Sequence, residues 1–251
     1  MSRLEGQHVV LTGAAGGLGG LLAERLRAAG ARVTGIDRQS AAGCNEAIVC
    51  DLSSIAALED LTDRLRNRRV NVLFNVAGLQ YFGPIERQGP TGIALGYAVN
   101  LVAPAILSAA LVPQMIERGE GQIVNIGSVM GAVPYPYFTA YSSAKAGLKG
   151  LSQALRRELH GRGVQVTHIA PRAVRTGFNT PLIERFMAAS RMNADAPEQV
   201  ADRIMRAVEQ RAHDVSIGMP ERLFTQLNAL MPRVVDQGLT KQIATARALF
   251  A

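Results

Sequence analysis

The chain of 251 residues has no tryptophan, two cysteines and four histidines, and only 19% of it is charged. Each scarcity excludes something. Cys44 and Cys50 match neither a zinc site nor a redox pair by spacing. Free thiols suit a reducing compartment, so a cytoplasmic protein is expected. His8, His160, His168 and His213 are scattered, none at metal-ligand spacing, so no metal is expected. The formal net charge of +7 comes mostly from arginines spread along the chain. The tightest group, Arg64, Arg66, Arg68 and Arg69, falls at the end of a predicted helix, where cations complement the helix dipole. No basic stripe or aromatic stacking motif accompanies it, which argues against a nucleic-acid partner. The opening residues pass from polar ones straight into a short apolar run, so no signal peptide is expected. Linkers, low-complexity segments and internal repeats are all lacking, and one domain is expected.

Charge is missing altogether from Gln88 to Ile116. The middle of that stretch, residues 97–115, is apolar enough for a membrane span. Asn100, Pro104, Ser108 and Pro113 interrupt it, however, and a helix buried in a subunit interface is the better expectation.

What is present is a rhythm. Strand-like runs at residues 8–12, 31–37, 47–50, 71–75, 121–127, 164–170 and 213–217 alternate with helical patterns at 17–29, 54–67, 139–161 and 197–211 and with two helical stretches over roughly 91–118. Crossovers of this length demand parallel strands, and continuously apolar runs such as residues 72–74 and 123–126 suit strands covered on both sides. The expectation is an α/β fold: a doubly wound parallel sheet, Rossmann-like, of about seven strands with helices on both faces.

The first strand meets the first helix at Thr12-Gly13-Ala14-Ala15-Gly16-Gly17-Leu18-Gly19. Glycines at positions 13, 17 and 19 allow a tight turn and let a diphosphate approach bare N–H groups at a helix N-terminus. Asp37 ends the second strand, where a carboxylate can accept hydrogen bonds from both adenosine ribose hydroxyls and would repel a 2′-phosphate. NAD is therefore the expected cofactor. Arg38 keeps NADP open, since a guanidinium can hold that phosphate.

Tyr141 and Lys145 stand four apart on the long helix and share a face. A neighbouring ammonium favours the phenolate, so the tyrosine pKa is expected to fall. Such a phenol would give a proton to a developing alkoxide, or remove one from an alcohol.

With these motifs the sequence resembles the short-chain dehydrogenase/reductase family from about Gly6 to Gly218. The resemblance implies an NAD(P)-dependent oxidoreductase, a dimer or tetramer of the chain, and roles for particular residues. The turn containing Gly13, Ala15, Gly17, Leu18 and Gly19 would bind the diphosphate, and Asp51 and Leu52 would contact adenine. Asn75-Val76-Ala77-Gly78 matches the family's Asn-Asn-Ala-Gly element, with Val in place of the second Asn, and puts Asn75, Ala77 and Gly78 at the cofactor. Asn100 would link through water to the lysine. Ser128 would orient the substrate oxygen, Tyr141 act as general acid/base, and Lys145 hold the nicotinamide ribose and tune the tyrosine. Pro171 and Thr176 would meet the nicotinamide end. The family usually has Gly after that proline. Here Arg172 stands there, either snorkelling to solvent or, with Arg175, meeting a cofactor phosphate or an acidic substrate.

Three segments should border the nicotinamide: residues 79–83, 129–138 and 177–192. Their apolar content, with Met130, Tyr135, Phe138 and Phe178 beside Ser128, predicts an apolar ketone or secondary alcohol as substrate. A mobile lid over about residues 177–195 and an added helical tail over about 220–251 are expected. In the tail, Leu223, Phe224, Leu227, Leu230, Met231 and Val234 mark an apolar face for the core, a second subunit or a membrane surface. The reading from a different class is a catalytically silent dinucleotide-binding sensor or scaffold, with the altered Pro171-Arg172 turn as its one support. A sugar-nucleotide epimerase would need a larger substrate domain, and Gly127-Ser128-Val129-Met130-Gly131 is not a nucleophile elbow.

Overall fold

The structure, a computed structural model, describes residues 2–251, apart from the side chains of residues 219–223. Seven strands form one parallel sheet: β1 (His8–Thr12), β2 (Arg32–Asp37), β3 (Glu46–Val49), β4 (Val72–Asn75), β5 (Gly121–Ile126), β6 (Val164–Pro171) and β7 (Asp214–Ile217). Their order is β3-β2-β1-β4-β5-β6-β7. The chain therefore reverses direction across the sheet between β1 and β4, and a crevice opens at the carboxyl ends there. The central strands β4 and β5 are buried at every position, which is why they read as unbroken apolar runs.

Two helical layers cover the sheet. On one face lie α1 (Gly17–Ala28) and, further along, α7 (Pro197–Glu209), whose Leu22, Leu26, Val200 and Ile204 meet Leu11 and Phe74 of the sheet. On the other lie α2 (Ile55–Arg66), α4 (Ala103–Glu117) and the end of α5 (Thr139–Glu158), burying Leu58, Leu61, Leu107 and Leu111 against Leu73 and Ile123. Each such side chain contributes about 1.5–3 kcal/mol when fully buried. Ser54 caps α2 by accepting from the Ala57 N–H at 3.3 Å.

The uncharged segment is helical throughout. It begins as α3 (Pro90–Tyr97), widens into a π-helical turn over Ala98–Val102 and continues as α4. Pro104 could not have donated to an unbroken α-helical ladder, and the wider turn lies just before it. Pro90–Glu117 is long and apolar enough to cross a membrane, but half of its most apolar window is buried in this fold.

Some element boundaries and faces depart from expectation. α5 stops at Glu158 rather than Gly161, because Gly161 sits in a turn at φ +75°. Within the expected lid, Thr180 caps a helix, α6 (Pro181–Ala189), by accepting from the Ile183 N–H. The tail folds as α8 (Met219–Leu230), α9 (Pro232–Gly238) and α10 (Thr240–Ala248). Its expected apolar face does not pack on the core. Phe224, Leu230, Met231 and Val234 are exposed, Leu223 lies outside the described side chains, and the buried contacts come from Val235 and Ala246 instead. Of the three coverings expected for this face, the chain's own core therefore supplies little, which leaves a second subunit or a membrane surface.

Candidate active site

A cleft of about 700 Å³ runs along the carboxyl ends of the strands. At one end the turn after β1 forms a glycine cradle. Gly13 adopts φ +72°, and a Cβ there would come 2.8 Å from the Ala77 backbone. A Cβ at Gly19 would overlap the Gly13 carbonyl. Thr12 ties the cradle to β4, its hydroxyl accepting from the N–H groups of Val76 (3.0 Å) and Ala77 (3.1 Å). No side chain caps α1 and no acid lies in its first turn, so its leading N–H groups face the cleft without a protein carboxylate. This is the geometry an anionic diphosphate requires.

Asp37 closes that end. Its carboxylate accepts from the N–H groups of Ala15 (3.1 Å) and Gln39 (3.3 Å), which holds it at the rim of the cradle. Asp51 is held below the usual carboxylate range chiefly by the Ser53 N–H (2.9 Å), then by the Ser53 hydroxyl (2.7 Å), with the Arg38 charge adding to both. Two acids and one arginine thus surround the space expected for the adenosine.

Further along, Tyr141 and Lys145 of α5 meet Ser128, which follows β5. The Ser128 hydroxyl is near enough to the Tyr141 phenol to act on its protonation. The Ser128 hydroxyl also accepts from the Met130 N–H at 3.1 Å. Lys145 Nζ donates to the Ile126 carbonyl at 2.9 Å and lies 5.9 Å from the centre of the Tyr141 ring. Gly78 makes room for this group: a Cβ there would lie 3.0 Å from Asn100 Oδ1 and 3.6 Å from Lys145 Nζ.

Burial sets the protonation states. It pushes the Tyr141 phenol up to about 12, with the Ser128 hydroxyl opposing, and brings Lys145 down to about 8. The expected lowering of the tyrosine is therefore corrected. Desolvation is the largest cause, and the Lys145 ammonium bonds to the Ile126 carbonyl rather than to the phenol. At neutral pH the pair holds a protonated phenol beside a mostly protonated amine, which is the charge state of a proton donor.

The far end of the cleft is apolar. Leu79, Met130, Phe138 and Phe178 line it, joined by Leu95 and Val99 from α3 and the π turn and by Ile183 and Met187 from α6. A family model described as short chain dehydrogenase matches residues 7–185.

The chain belongs to the short-chain dehydrogenase family. A ketoacyl reductase, HetN, of Nostoc sp. is 31% identical over 258 residues, covering 94% of this chain and 89% of the relative. A short-chain dehydrogenase from Sphingobium yanoikuyae, solved in complex with NADPH, matches with a TM-score of 0.77 at 26% identity, over 92% of this chain and 96% of that one. A bulky-bulky ketone specific alcohol dehydrogenase from Comamonas testosteroni matches with a TM-score of 0.75 at 26% identity, over 92% and 94%. This is an oxidoreductase family that works with a nicotinamide cofactor, on a Rossmann-like sheet.

In this dehydrogenase, Gly13, Ala15, Gly17, Leu18 and Gly19 line the cleft as expected, and so do Asp37, Arg38, Asp51 and Leu52. Ala77, Gly78, Pro171 and Thr176 line it beyond them, with Ser128, Tyr141 and Lys145 at the centre and Met130, Phe138 and Phe178 at the apolar end. Three expected residues do not. Asn75 is buried between strands, donating to Asn125 Oδ1 at 2.8 Å. Asn100 is fully buried in the π turn and grips Leu79, donating to its carbonyl at 2.7 Å and accepting from its N–H at 3.2 Å. It thereby positions the cleft wall, with its Oδ1 beside Gly78. Tyr135 packs behind the wall on Phe138 and Phe186, where burial raises its phenol to about 12.

Arg172 lines the cleft and is also held by a partner within the chain. Its guanidinium makes a two-pronged pair with Asp195, Nε to Oδ2 at 3.0 Å and a terminal nitrogen to Oδ1 at 2.6 Å. Arg175 donates to the Ala194 carbonyl at 2.7 Å. Both arginines fasten the chain beyond α6 to the loop after β6. The sequence reading also missed Gln80, whose amide donates to the Phe178 carbonyl and to Asn179 Oδ1, each at 3.0 Å. Leu95 and Val99 were within reach of helical periodicity, being four apart on the uncharged segment.

Proposed function

We propose that this dehydrogenase interconverts an apolar ketone and its secondary alcohol, with Tyr141 as the general acid/base. The observation that carries the reading is the placement of the buried Tyr141–Ser128–Lys145 group between a glycine cradle and an apolar wall. The bound nicotinamide would supply or accept the hydride. The cradle and the Asp37 rim would hold the dinucleotide, and Pro171 and Thr176 would meet its nicotinamide end. In reduction, Ser128 orients the substrate oxygen and Tyr141 gives it a proton as charge develops there. Lys145 then stabilises the tyrosinate that remains. In oxidation the same groups act in reverse. The enclosed apolar wall favours a substrate with a sizeable hydrophobic body, in keeping with the ketone specificity named for the Comamonas relative.

Asp37 at the rim favours NAD over NADP; Arg38 opposes it. A second copy of the chain is proposed to cover the uncharged helical segment, where Val102 of the π turn is exposed. The silent-sensor alternative rests on Arg172 in place of the usual glycine, and the intact Ser128, Tyr141 and Lys145 argue against it.

The test is titration with both reduced cofactors, followed by a ketone panel read by nicotinamide absorbance. NADH should bind about tenfold more tightly than NADPH or better, the scale of one well-placed charge interaction. Aryl ketones should be turned over faster than small polar ones. Failure to bind either nucleotide, or preference for small polar carbonyls, would overturn the reading.

A further inference from the structure

Beyond the cleft, the segment after α10 folds back onto the outside of the apolar wall. We infer that Phe250 is a specificity-determining residue that acts through Phe82, Tyr137 and Phe138 to fix how wide the substrate end can open. The inference rests on the ketone-site reading above and adds a control that the active-site residues do not contain.

The contacts form a continuous path. The Phe250 ring lies parallel to Tyr137, 5.7 Å between centres and 4° between planes, and 5.3 Å from Phe82. Phe82 in turn lies 4.8 Å from Phe138, which lines the cleft, and 4.7 Å from Phe186 of α6. Such separations are those of rings in direct packing contact. The Phe250 backbone is fastened as well, its carbonyl accepting from the Arg87 guanidinium at 3.1 Å. Just before it, Ala246 is fully buried among Phe138, Tyr141, Ile183 and Phe186.

Two features of the wall explain why it needs backing from outside. Tyr137 adopts φ +66°, a left-handed conformation that a residue with a Cβ disfavours. Its carbonyl accepts from the Gly83 N–H at 2.8 Å, joining the loop after β4 to the loop before α5. At Gly83 even an added Cβ would already stand 3.6 Å from the Phe250 ring. Both loops are thus tied to each other and covered by the same ring. An irregular segment with few regular hydrogen bonds keeps one shape only when its surroundings hold it. Phe250 supplies that hold on the side away from the substrate.

The test compares Phe250→Ala, Phe250→Tyr and Arg87→Ala with the parent, using acetophenone and benzophenone with NADH. Phe250→Ala should shift the ratio of kcat/KM for benzophenone over acetophenone by roughly tenfold, chiefly through KM. NADH affinity should stay as it was. Phe250→Tyr keeps the ring and should retain the parent ratio, and Arg87→Ala should shift it in the same direction by less. Hydrogen exchange should rise in residues 79–88 and 133–138 of Phe250→Ala. A lowered melting temperature with an unchanged ratio would mark a merely structural contact and overturn the inference, as would unchanged exchange in those loops. If the parent protein reduced neither ketone, the ketone reading itself would fall and the specificity role with it, while the exchange result would still report whether the ring backs the loops.

Discussion

Replacing Tyr141 by phenylalanine is expected to lower kcat by about 10²- to 10⁴-fold, the usual contribution of a positioned general acid. The ring would remain, keeping its place beside Phe178, 6.3 Å away between centres, and in the cluster with Ile183 and Phe186. Only the hydroxyl and its interaction with Ser128 would go. Even a full neutral hydrogen bond is worth about 1 kcal/mol of stability, so the variant should fold and melt close to the parent. NADH affinity should be nearly unchanged, because the glycine cradle and Asp37 lie at the other end of the cleft. Steady-state kinetics, a cofactor titration and a thermal melt on one preparation separate these effects.

Gly19→Ala is expected to weaken NADH binding roughly 10- to 100-fold, corresponding to about 1–3 kcal/mol of overpacking. The added methyl would overlap the Gly13 carbonyl and stand 3.1 Å from the Ala14 Cα. Backbone atoms on a tight turn cannot swing aside as a flexible side chain can, so the cradle itself must deform. Gly20→Ala is the internal control. Its methyl would meet the Ala14 carbonyl at 3.8 Å, an ordinary contact, and alanine is the better helix former. That variant should bind NADH like the parent and melt no lower. Isothermal titration of both variants measures the contrast directly.

The parts of the fold governed by periodicity were legible in the sequence. Alternating apolar runs and helical stripes gave the seven parallel strands, since strands covered on both faces admit no other pattern. The glycine turn and the Tyr141–Lys145 spacing were legible because each is a local geometric need. What escaped were directions of side chains and partners far along the chain. Asn75 sits beside the cofactor element, but its amide turns to Asn125, fifty residues away. Arg172 reads as a free cation until Asp195 is found opposite it. The protonation of Tyr141 depends on how much water is excluded, which no spacing reveals. α6 is the opposite case: Thr180 followed by Pro181 is a helix start that the sequence does carry, masked by the apolar content of the segment.

The account depends most on a protonated amine, desolvated beside a phenol, carrying the charge left after proton transfer. The pH dependence of kcat for ketone reduction tests this directly. Burial lowers Lys145 to about 8 while Tyr141 stays protonated up to about 12. The ammonium is present below the lysine value and lost as pH rises through it. The rate should therefore be level below about pH 7 and fall above about pH 8, by about tenfold per pH unit, as one ionisation requires. A rate that holds level to about pH 10, the range of an ordinary lysine, would contradict it.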